Sequence, residues 1–298
     1  MTYLVFIGAL PFGLTIGEKF VTICSKPYLS TLANKLVGPL RKMNEGLKLR
    51  DRYFDNLISK KLEDIKNGII GTDMTTILLQ AVNRDGSATF TQREIRAQLY
   101  TFLFGGFDTT ASVVEQILFH LADQPDWKNK IRNEFEDLGG QVNKSTLKQL
   151  TITTAFIREV LRLANVIDIL NPRQMLNDIK LPDGSIMPKG CEWSIDIASM
   201  GQNHIWGDHP MKFDPSRYLD NVDKMHPYQN IPFSAGKRNC IGRNFAMQEM
   251  KIIVVRVASL LKLENHIIDA DKDGRPVKKQ FLTYKMKDNT FRQKIQLI

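Results

Sequence analysis

Apolar side chains recur every three or four residues along most of the first 163 positions of the chain. This is the period of an amphipathic α-helix, in which one face is buried and the other is solvated. The longest such stretch opens with Thr91-Gln92-Arg93-Glu94, which is typical of a capping box. One apolar stripe of this stretch contains Ile95, Leu99, Leu103 and Phe107. The pattern predicts helices over 43–66, 92–122, 126–137, 146–163 and 243–263.

After residue 163 the pattern changes to short strand-like segments separated by turn residues. Strands are predicted over 178–181, at Ile186, over 191–197 and in the tail from residue 281 onward, with Pro182-Asp183-Gly184 as a turn. The expected fold class is therefore mainly α with a small β-sheet (α+β). No repeat or clear linker divides the chain, so we expect one domain over residues 1–298.

Composition and charge narrow the class of protein. The chain has 41 basic and 32 acidic residues, a net charge of +9, and 43% hydrophobic residues. The basic residues are scattered without interleaved aromatics, so no nucleic-acid partner is expected, whereas an acidic protein or a membrane surface would suit the charge. The apolar stretch 3–17 is short and contains Pro11, so we expect it to be core. The three cysteines, Cys24, Cys191 and Cys240, form no disulfide framework.

The run from Phe233 to Gly242 constrains the chemistry of the chain more tightly than any other. Its skeleton is Phe233-x-x-Gly236-x-Arg238-x-Cys240-x-Gly242. The glycines allow a tight bend and close approach to a flat group, and the predicted helix that follows favours the anionic form of the sulfur. A thiolate with Arg238 to meet an anion and Phe233 to cover an aromatic face suits the fifth ligand of a haem iron.

This run resembles the haem-binding signature of the cytochrome P450 family, and every fixed position of that signature is filled. The resemblance implies haem b with Cys240 as the ligand of its iron, Arg238 paired with a propionate, and a thiolate that favours O–O cleavage. Two other interpretations of Cys240 stay open. It could be a buried, inert cysteine, or it could bind zinc with His204, His209 or His226, although no pair has the usual ligand spacing.

Two adjacent glycines, Gly105 and Gly106, fall in the middle of the longest predicted helix, where each costs roughly 1 kcal/mol relative to alanine. They indicate either a close helix crossing or a place where the helix opens to a small ligand. Thr109 could bond to the carbonyl of Gly105 and loosen the helix. Gly105 to Thr110 also resembles the distal-helix motif of the P450 family, which implies that Asp108 and Thr109 deliver the protons that oxygen chemistry consumes.

Two further motifs agree with the resemblance. Glu159 and Arg162 are three apart on a predicted helix, and the run that contains Arg217 is similar to the second arginine motif of the family. The resemblance implies a buried triad of these three that holds the haem loop. In relatives the region of Arg173 lines the substrate pocket and supplies an arginine for the second propionate. The apolar candidates for that pocket, which are equally compatible with plain core, are Val166, Ile167, Ile169, Leu170, Phe102, Phe104 and Phe107.

The expected function is that of a haem-thiolate monooxygenase of the microsomal type, which inserts one oxygen atom from O2 into an apolar fatty acid, sterol or xenobiotic. Electrons would come from NADPH-cytochrome P450 reductase or another donor. The basic side chains of Lys237 and Arg243 could form the surface that binds such a donor if the donor is acidic. By resemblance the protein would lie on the cytoplasmic face of the endoplasmic reticulum membrane.

Two other classes stay open at this point. One is a haem-dependent isomerase or dehydratase, against which Thr109 argues. The other is a truncated, non-catalytic haem-binding remnant, because the start of the chain resembles the middle of a family member and no Trp-x-x-x-Arg occurs. On that comparison the domain would lack the N-terminal anchor and the first helices.

Overall fold

The computed structural model describes residues 38–81, 86–219, 225–267, 278–280, 284–286 and 291–297. These residues form eight α-helices and eight short strands, which confirms a mainly helical fold with small β-structure. The helices are α1 Gly38–Lys66, α2 Met74–Gln80, α3 Gln92–Asp123, α4 Pro125–Asp137, α5 Lys144–Gln149, α6 Thr151–Leu163, α7 Ile197–Gly201 and α8 Arg243–Leu260. The strands are β1 Arg173–Gln174, β2 Ile179–Lys180, β3 Ile186–Met187, β4 Glu192–Trp193, β5 Leu261–Ile267, β6 Lys278–Gln280, β7 Tyr284–Met286 and β8 Phe291–Leu297. The stretch 3–17, Cys24 and residues 281–283 lie outside the described residues.

The long helix α3 begins where its capping box predicts. The Thr91 N–H donates to Glu94 Oε2 at 2.8 Å, and the Glu94 N–H donates to Thr91 Oγ1 at 3.3 Å. The predicted apolar stripe is buried only at its start, where Ile95 and Leu99 are covered. Further along the same helix Leu103 is 56% exposed and Phe107 is 72% exposed.

The helix predicted over 43–66 begins five residues earlier, at Gly38. Three further sequence-based boundaries were wrong, each for a physical reason. The predicted helix 146–163 is broken at Leu150, whose ψ of 79° is not helical, so α5 and α6 are separate helices. The predicted helix 243–263 ends at Leu260, because the next residues extend and pair with β8. The predicted strand 191–197 ends early, because Asp196 accepts from the Ser199 N–H and caps α7 instead.

The chain divides into two compact units, residues 1–105 and 106–298. In the first unit, Phe54 and Ile58 on α1 pack with Ile95 and Leu99 on α3. An ion pair between Arg96 and Asp55, with both Nη1···Oδ distances 2.9 Å, joins the same two helices.

The core of the second unit is formed by the later turns of α3 together with α4, α6 and α8. Its fully or nearly fully buried members include Val113, Ile117, Leu121, Ile131, Phe135, Phe156, Ile157, Val160, Met250, Val254, Val255 and Ala258. Strand β5 continues directly from α8 and pairs antiparallel with β8 over seven residues. Asn265 of this sheet donates to the Phe119 carbonyl at 2.9 Å, and Gln293 donates to the Leu118 carbonyl at 2.9 Å. These two hydrogen bonds connect the sheet to the C-terminal turns of α3.

Candidate functional site

The loop that carries Cys240 is closed by its own backbone. The Cys240 N–H donates to the Phe233 carbonyl at 2.9 Å, and a 3-10 turn, Gly236–Arg238, lies between them. The bend needs left-handed backbone at Ser234, with φ of 60°, and at Gly236, with φ of 76°. Helix α8 begins at Arg243, so Cys240 lies three residues before a helix N-terminus.

The base of this loop is anchored while its tip faces solvent. Phe233 at one end and Ala246 and Met247 at the other pack against the core of the second unit. Between them Cys240 is exposed and free. A fixed base beneath an accessible sulfur suits a loop that must present a ligand atom in one place.

The surroundings of Cys240 fit a flat, apolar and anionic group such as haem. Its neighbours Ile241 and Phe245 are 84% and 73% exposed, which is unusual for large apolar side chains beside a well-packed core. The exposed guanidinium of Arg238 makes no hydrogen bond or ion pair with the described residues. The loop therefore offers a thiol, apolar side chains and an uncompensated cation within eight positions of the sequence.

The glycines of α3 border open space. Apart from the chain neighbours and the backbone of α3 itself, no atom of the described residues lies within 4 Å of a Cβ built on Gly105 or Gly106. A close helix crossing therefore does not explain these glycines in the part of the chain that is described. The helix is uninterrupted from Gln92 to Asp123. Asp108 and Thr109 are half-buried, and Thr110, the next residue, is buried.

The structure brings Glu159, Arg162 and Arg217 together. Arg162 Nε donates to Glu159 Oε2 and Arg162 Nη2 donates to Glu159 Oε1, both at 2.7 Å, and neither side chain is exposed at all. Arg217 Nε lies 3.6 Å from Glu159 Oε1. The same carboxylate oxygen accepts the Asp214 N–H at 2.8 Å. Two guanidiniums and a backbone amide thus converge on one buried carboxylate.

The hydrogen bonds of the triad reach the segment 201–214 and not the Cys240 loop, within the described residues. Arg162 donates to the carbonyls of Gly201, Pro210 and Lys212 at 2.5, 2.6 and 3.2 Å. Arg217 donates to the carbonyls of Trp206 and, at 2.9 Å, His209. The connection to the Cys240 loop is through packing, because Phe213 and Phe233 contact the same core.

Gly201 is a positioning residue that the sequence did not reveal. A Cβ at this position would lie 2.2 Å from the backbone oxygen of Arg162, far inside van der Waals contact. The glycine therefore lets α7 approach the end of α6 closely enough for its carbonyl to accept from Arg162. The sequence holds no local signal for this contact, because the partner lies 39 residues earlier.

Arg173 lies in β1, opposite Trp193 of β4, and its exposed side chain has no polar partner among the residues described. Of the apolar pocket candidates nearby, Val166 is core, whereas Ile167 and Ile169 are exposed. The zinc interpretation finds no support in the described part of the chain, where no three His, Cys, Asp or Glu side chains cluster.

A family model described as Cytochrome P450 matches residues 26–285. The chain belongs to the cytochrome P450 family. Among similar proteins, rat Cytochrome P450 4F5 is 40% identical over 211 residues, which cover 68% of this chain and 39% of that protein. Human Cytochrome P450 4Z1 is 35% identical over 228 residues, covering 75% and 44%. The human ultra-long-chain fatty acid omega-hydroxylase is 38% identical over 192 residues, covering 61% and 35%.

The same P450 fold is found in a solved structure. Retinoic acid-bound cyanobacterial CYP120A1 superposes with a TM-score of 0.69 at 22% sequence identity, over 82% of this chain and 55% of that one. This P450 chain spans less than half the length of the curated relatives named above. Membership of the family implies a haem-thiolate cofactor, and the exposed Cys240 loop is the part of the described structure that fits it.

Proposed function

We propose that this P450 chain forms the haem-binding part of a monooxygenase that inserts one atom of O2 into an apolar organic substrate. Cys240 is the ligand of the iron of haem b. The observation that carries the proposal is the exposed Cys240 sulfur on a loop closed by the Cys240–Phe233 hydrogen bond of 2.9 Å, just before α8.

The residues of the chain bind and orient the cofactor. When bound, the haem supplies the activation of O2, which no amino-acid side chain can perform alone. Gly236 and Gly242 let the backbone approach the ring, and Phe233 supports the loop from the core side. Arg238 and Arg173 are exposed cations without polar partners in the described residues, and each is suited to a propionate.

Asp108 and Thr109 move protons in this proposal. The Thr109 hydroxyl holds a proton at Oγ1, and the Asp108 carboxyl replaces it from solvent, which its half-exposed position allows. Gly105 lies three and four positions before these residues on α3, a spacing that places residues on one face of a helix, and both glycines border open space.

The proposed substrate is a molecule with a long apolar chain. In the second unit Phe107 on α3 and the residues Ile167 and Ile169 before β1 expose large apolar side chains. One similar protein is named an ultra-long-chain fatty acid omega-hydroxylase, and this likeness favours a fatty acid over a sterol or xenobiotic. Apolar surface of this kind is stabilised when it is covered by a hydrocarbon chain.

Partners and location belong to the same proposal. Lys237 and Arg243 are exposed on either side of Cys240 and could receive an acidic electron donor, NADPH-cytochrome P450 reductase being the expected one. The proposed location is the endoplasmic reticulum membrane, on its cytoplasmic face, which follows from the resemblance of the sequence motifs to the microsomal type of the family. None of the described helices is long and apolar enough to cross a bilayer.

Cys240→Ala is the direct test, with Cys191→Ala as the matched control because Cys191 is the other described free cysteine. The wild-type chain, loaded with haem, reduced and exposed to CO, is expected to show the red-shifted Soret band of thiolate ligation. Cys191→Ala should keep this band and Cys240→Ala should lose it. A Cys240→Ala variant that keeps the band would refute the proposal.

A further inference from the structure

Helix α4 lies against the two helices that matter most for the proposed site. Its buried Ile131 and Phe135 pack in the same core as α6 and α8. Helix α6 carries Glu159 and Arg162, and α8 follows directly on the Cys240 loop. Three charged side chains of α4 bind the ends of these helices: Lys128 and Arg132 bind α8, and Glu134 binds α6.

Two positive side chains of α4, those of Lys128 and Arg132, bind the C-terminal end of α8. Arg132 donates from Nε and Nη2 to the Ala258 carbonyl at 3.0 and 2.9 Å, and Lys128 Nζ donates to the Leu261 carbonyl. A helix C-terminus has partial negative charge and carbonyls without partners in the helix, so cations stabilise it. Lys128 is only 8% exposed, and burial, followed by the charges of Arg132 and Lys262, lowers its pKa.

One negative side chain of α4, that of Glu134, binds the N-terminal end of α6. Leu150 precedes this helix and provides no side-chain cap. Instead Glu134 accepts from the Ile152 N–H at 2.6 Å and from the Thr153 N–H at 2.9 Å. It also accepts from the hydroxyls of Thr153 and Thr151 at 2.7 and 3.1 Å. A carboxylate at this end of a helix complements its partial positive charge.

We propose that α4 is a positioning helix for the Cys240 loop, in which Glu134 fixes α6 and Arg132 fixes α8, so that the sulfur keeps one place relative to the triad. The inference rests on the proposed function of Cys240. Helix α8 is a rigid element of 18 residues, about 27 Å long. Because of that length, a small tilt at its C-terminal end displaces the loop at its N-terminal end.

The cap itself is tested on the haem-free chain by amide hydrogen exchange. Glu134→Gln keeps the shape of the side chain and removes its charge. Glu136→Gln is the matched control, since the Glu136 side chain is exposed and has no polar partner in the described residues. We expect exchange at Ile152 and Thr153 to be roughly five-fold faster in Glu134→Gln, the size of a lost helix cap. Equal rates in the two variants would overturn the inference.

The positioning role is tested at the sulfur, again without haem. The rate of alkylation of Cys240 by iodoacetamide, followed by peptide mass spectrometry, depends on how the thiol sits at the start of α8. We expect roughly three-fold changes in Glu134→Gln and Arg132→Gln, partial recovery in Arg132→Lys, and no change in Glu136→Gln. An unchanged rate in the first two variants would overturn the inference even if the cap is lost.

The haem-loaded protein separates this inference from the proposed function. We expect Glu134→Gln and Arg132→Gln to bind haem while showing a smaller fraction of the thiolate band in the reduced CO adduct than Glu136→Gln. A full thiolate band in both would overturn the inference and leave Cys240 as the ligand. Persistence of the band in Cys240→Ala would instead refute the proposed function.

Discussion

Glu159 and Arg162 form two hydrogen bonds of 2.7 Å in a place where water reaches neither side chain. Glu159 is the only carboxylate paired with the buried Arg162 among the described residues, and Arg217 Nε also lies 3.6 Å from it. Removal of the Glu159 charge therefore leaves Arg162 as a buried, unpaired charge. Glu159→Gln is therefore expected to lower the free energy of unfolding of the second unit by about 3–5 kcal/mol.

Tryptophan fluorescence in urea measures this effect, since Trp127, Trp193 and Trp206 all lie in the second unit. Glu264→Gln is the control, because Glu264 pairs with Lys262 at 3.2 Å on the surface, where such pairs contribute at most about 1 kcal/mol. If both variants lost the same free energy of unfolding, burial of the Glu159–Arg162 pair would not determine how much the pair contributes to stability.

Gly201→Ala is expected to destabilise the second unit, because the new methyl would overlap the Arg162 backbone oxygen at 2.2 Å. The cost should be at least about 1–3 kcal/mol, and the displaced α7 should also weaken the Arg162–Gly201 hydrogen bond. The same urea titration measures it. A neutral outcome would mean that α7 moves freely relative to α6.

Gly106→Ala is expected to act in the opposite direction on stability. The glycine sits within α3 with open space around it, so alanine should stabilise the haem-free chain by about 1 kcal/mol. The added methyl also narrows the proposed site, so we expect a weaker substrate-induced difference spectrum with a long-chain fatty acid. Ala111→Gly, at an exposed position of the same helix, is the control, and it should lose stability without changing the spectrum. Destabilisation by Gly106→Ala would show that another group crowds this glycine.

Thr109→Val should uncouple electron consumption from product formation. The substitution keeps the size of the side chain and removes the hydroxyl, and positioned proton donors contribute about 100-fold or more to such steps. We expect product per electron pair to fall by at least roughly ten-fold. Thr110→Val is the matched control, because Thr110 is the neighbouring hydroxyl and is buried. Unchanged coupling in Thr109→Val would favour the isomerase or dehydratase class.

Asp73 makes the stability of the first unit depend on pH. It caps α2, and its hydrogen bonds with Lys61 and then Thr76 hold the pKa of its carboxyl well below the ordinary 3.8. A lowered carboxyl pKa adds stability above the unfolded value, and this stability is lost as the pH falls below about 3.8. The urea midpoints of wild type and Asp73→Asn, followed by circular dichroism, should therefore differ most at pH 7. The difference should become smaller as the pH falls below about 3.8. Glu63→Gln, at an exposed position of α1, should show no such change.

Local signals in the sequence predicted local features of the structure. The capping box of Thr91 and Glu94 placed the start of α3 correctly, because both partners lie within one turn. The spacing of Glu159 and Arg162, joined to Arg217 by resemblance to the P450 family, led to three residues that the structure brings together. In each case a short motif specifies the contact.

Features that depend on distant partners could not be predicted. From the sequence, Leu261 is predicted to lie at the end of an apolar helix. It begins strand β5 only because it pairs with Leu297 of β8. Glu134 looks like one more surface charge on α4, because the amides it caps are 18 and 19 residues away. Leu103 and Phe107 continue the apolar stripe of α3, yet no periodicity distinguishes a stripe that meets core from one that meets a ligand.

The sheet of β5 and β8 determines when this chain can finish folding during synthesis. The amide of Gln293 binds the carbonyl of Leu118 across 175 positions, and that of Asn265 binds Phe119 across 146. Contacts of such separation form late, because a long loop must be closed first. The C-terminal turns of α3 leave the ribosome well before β8, so their packing is completed only after β8 has been released. Until then their apolar face needs protection from aggregation.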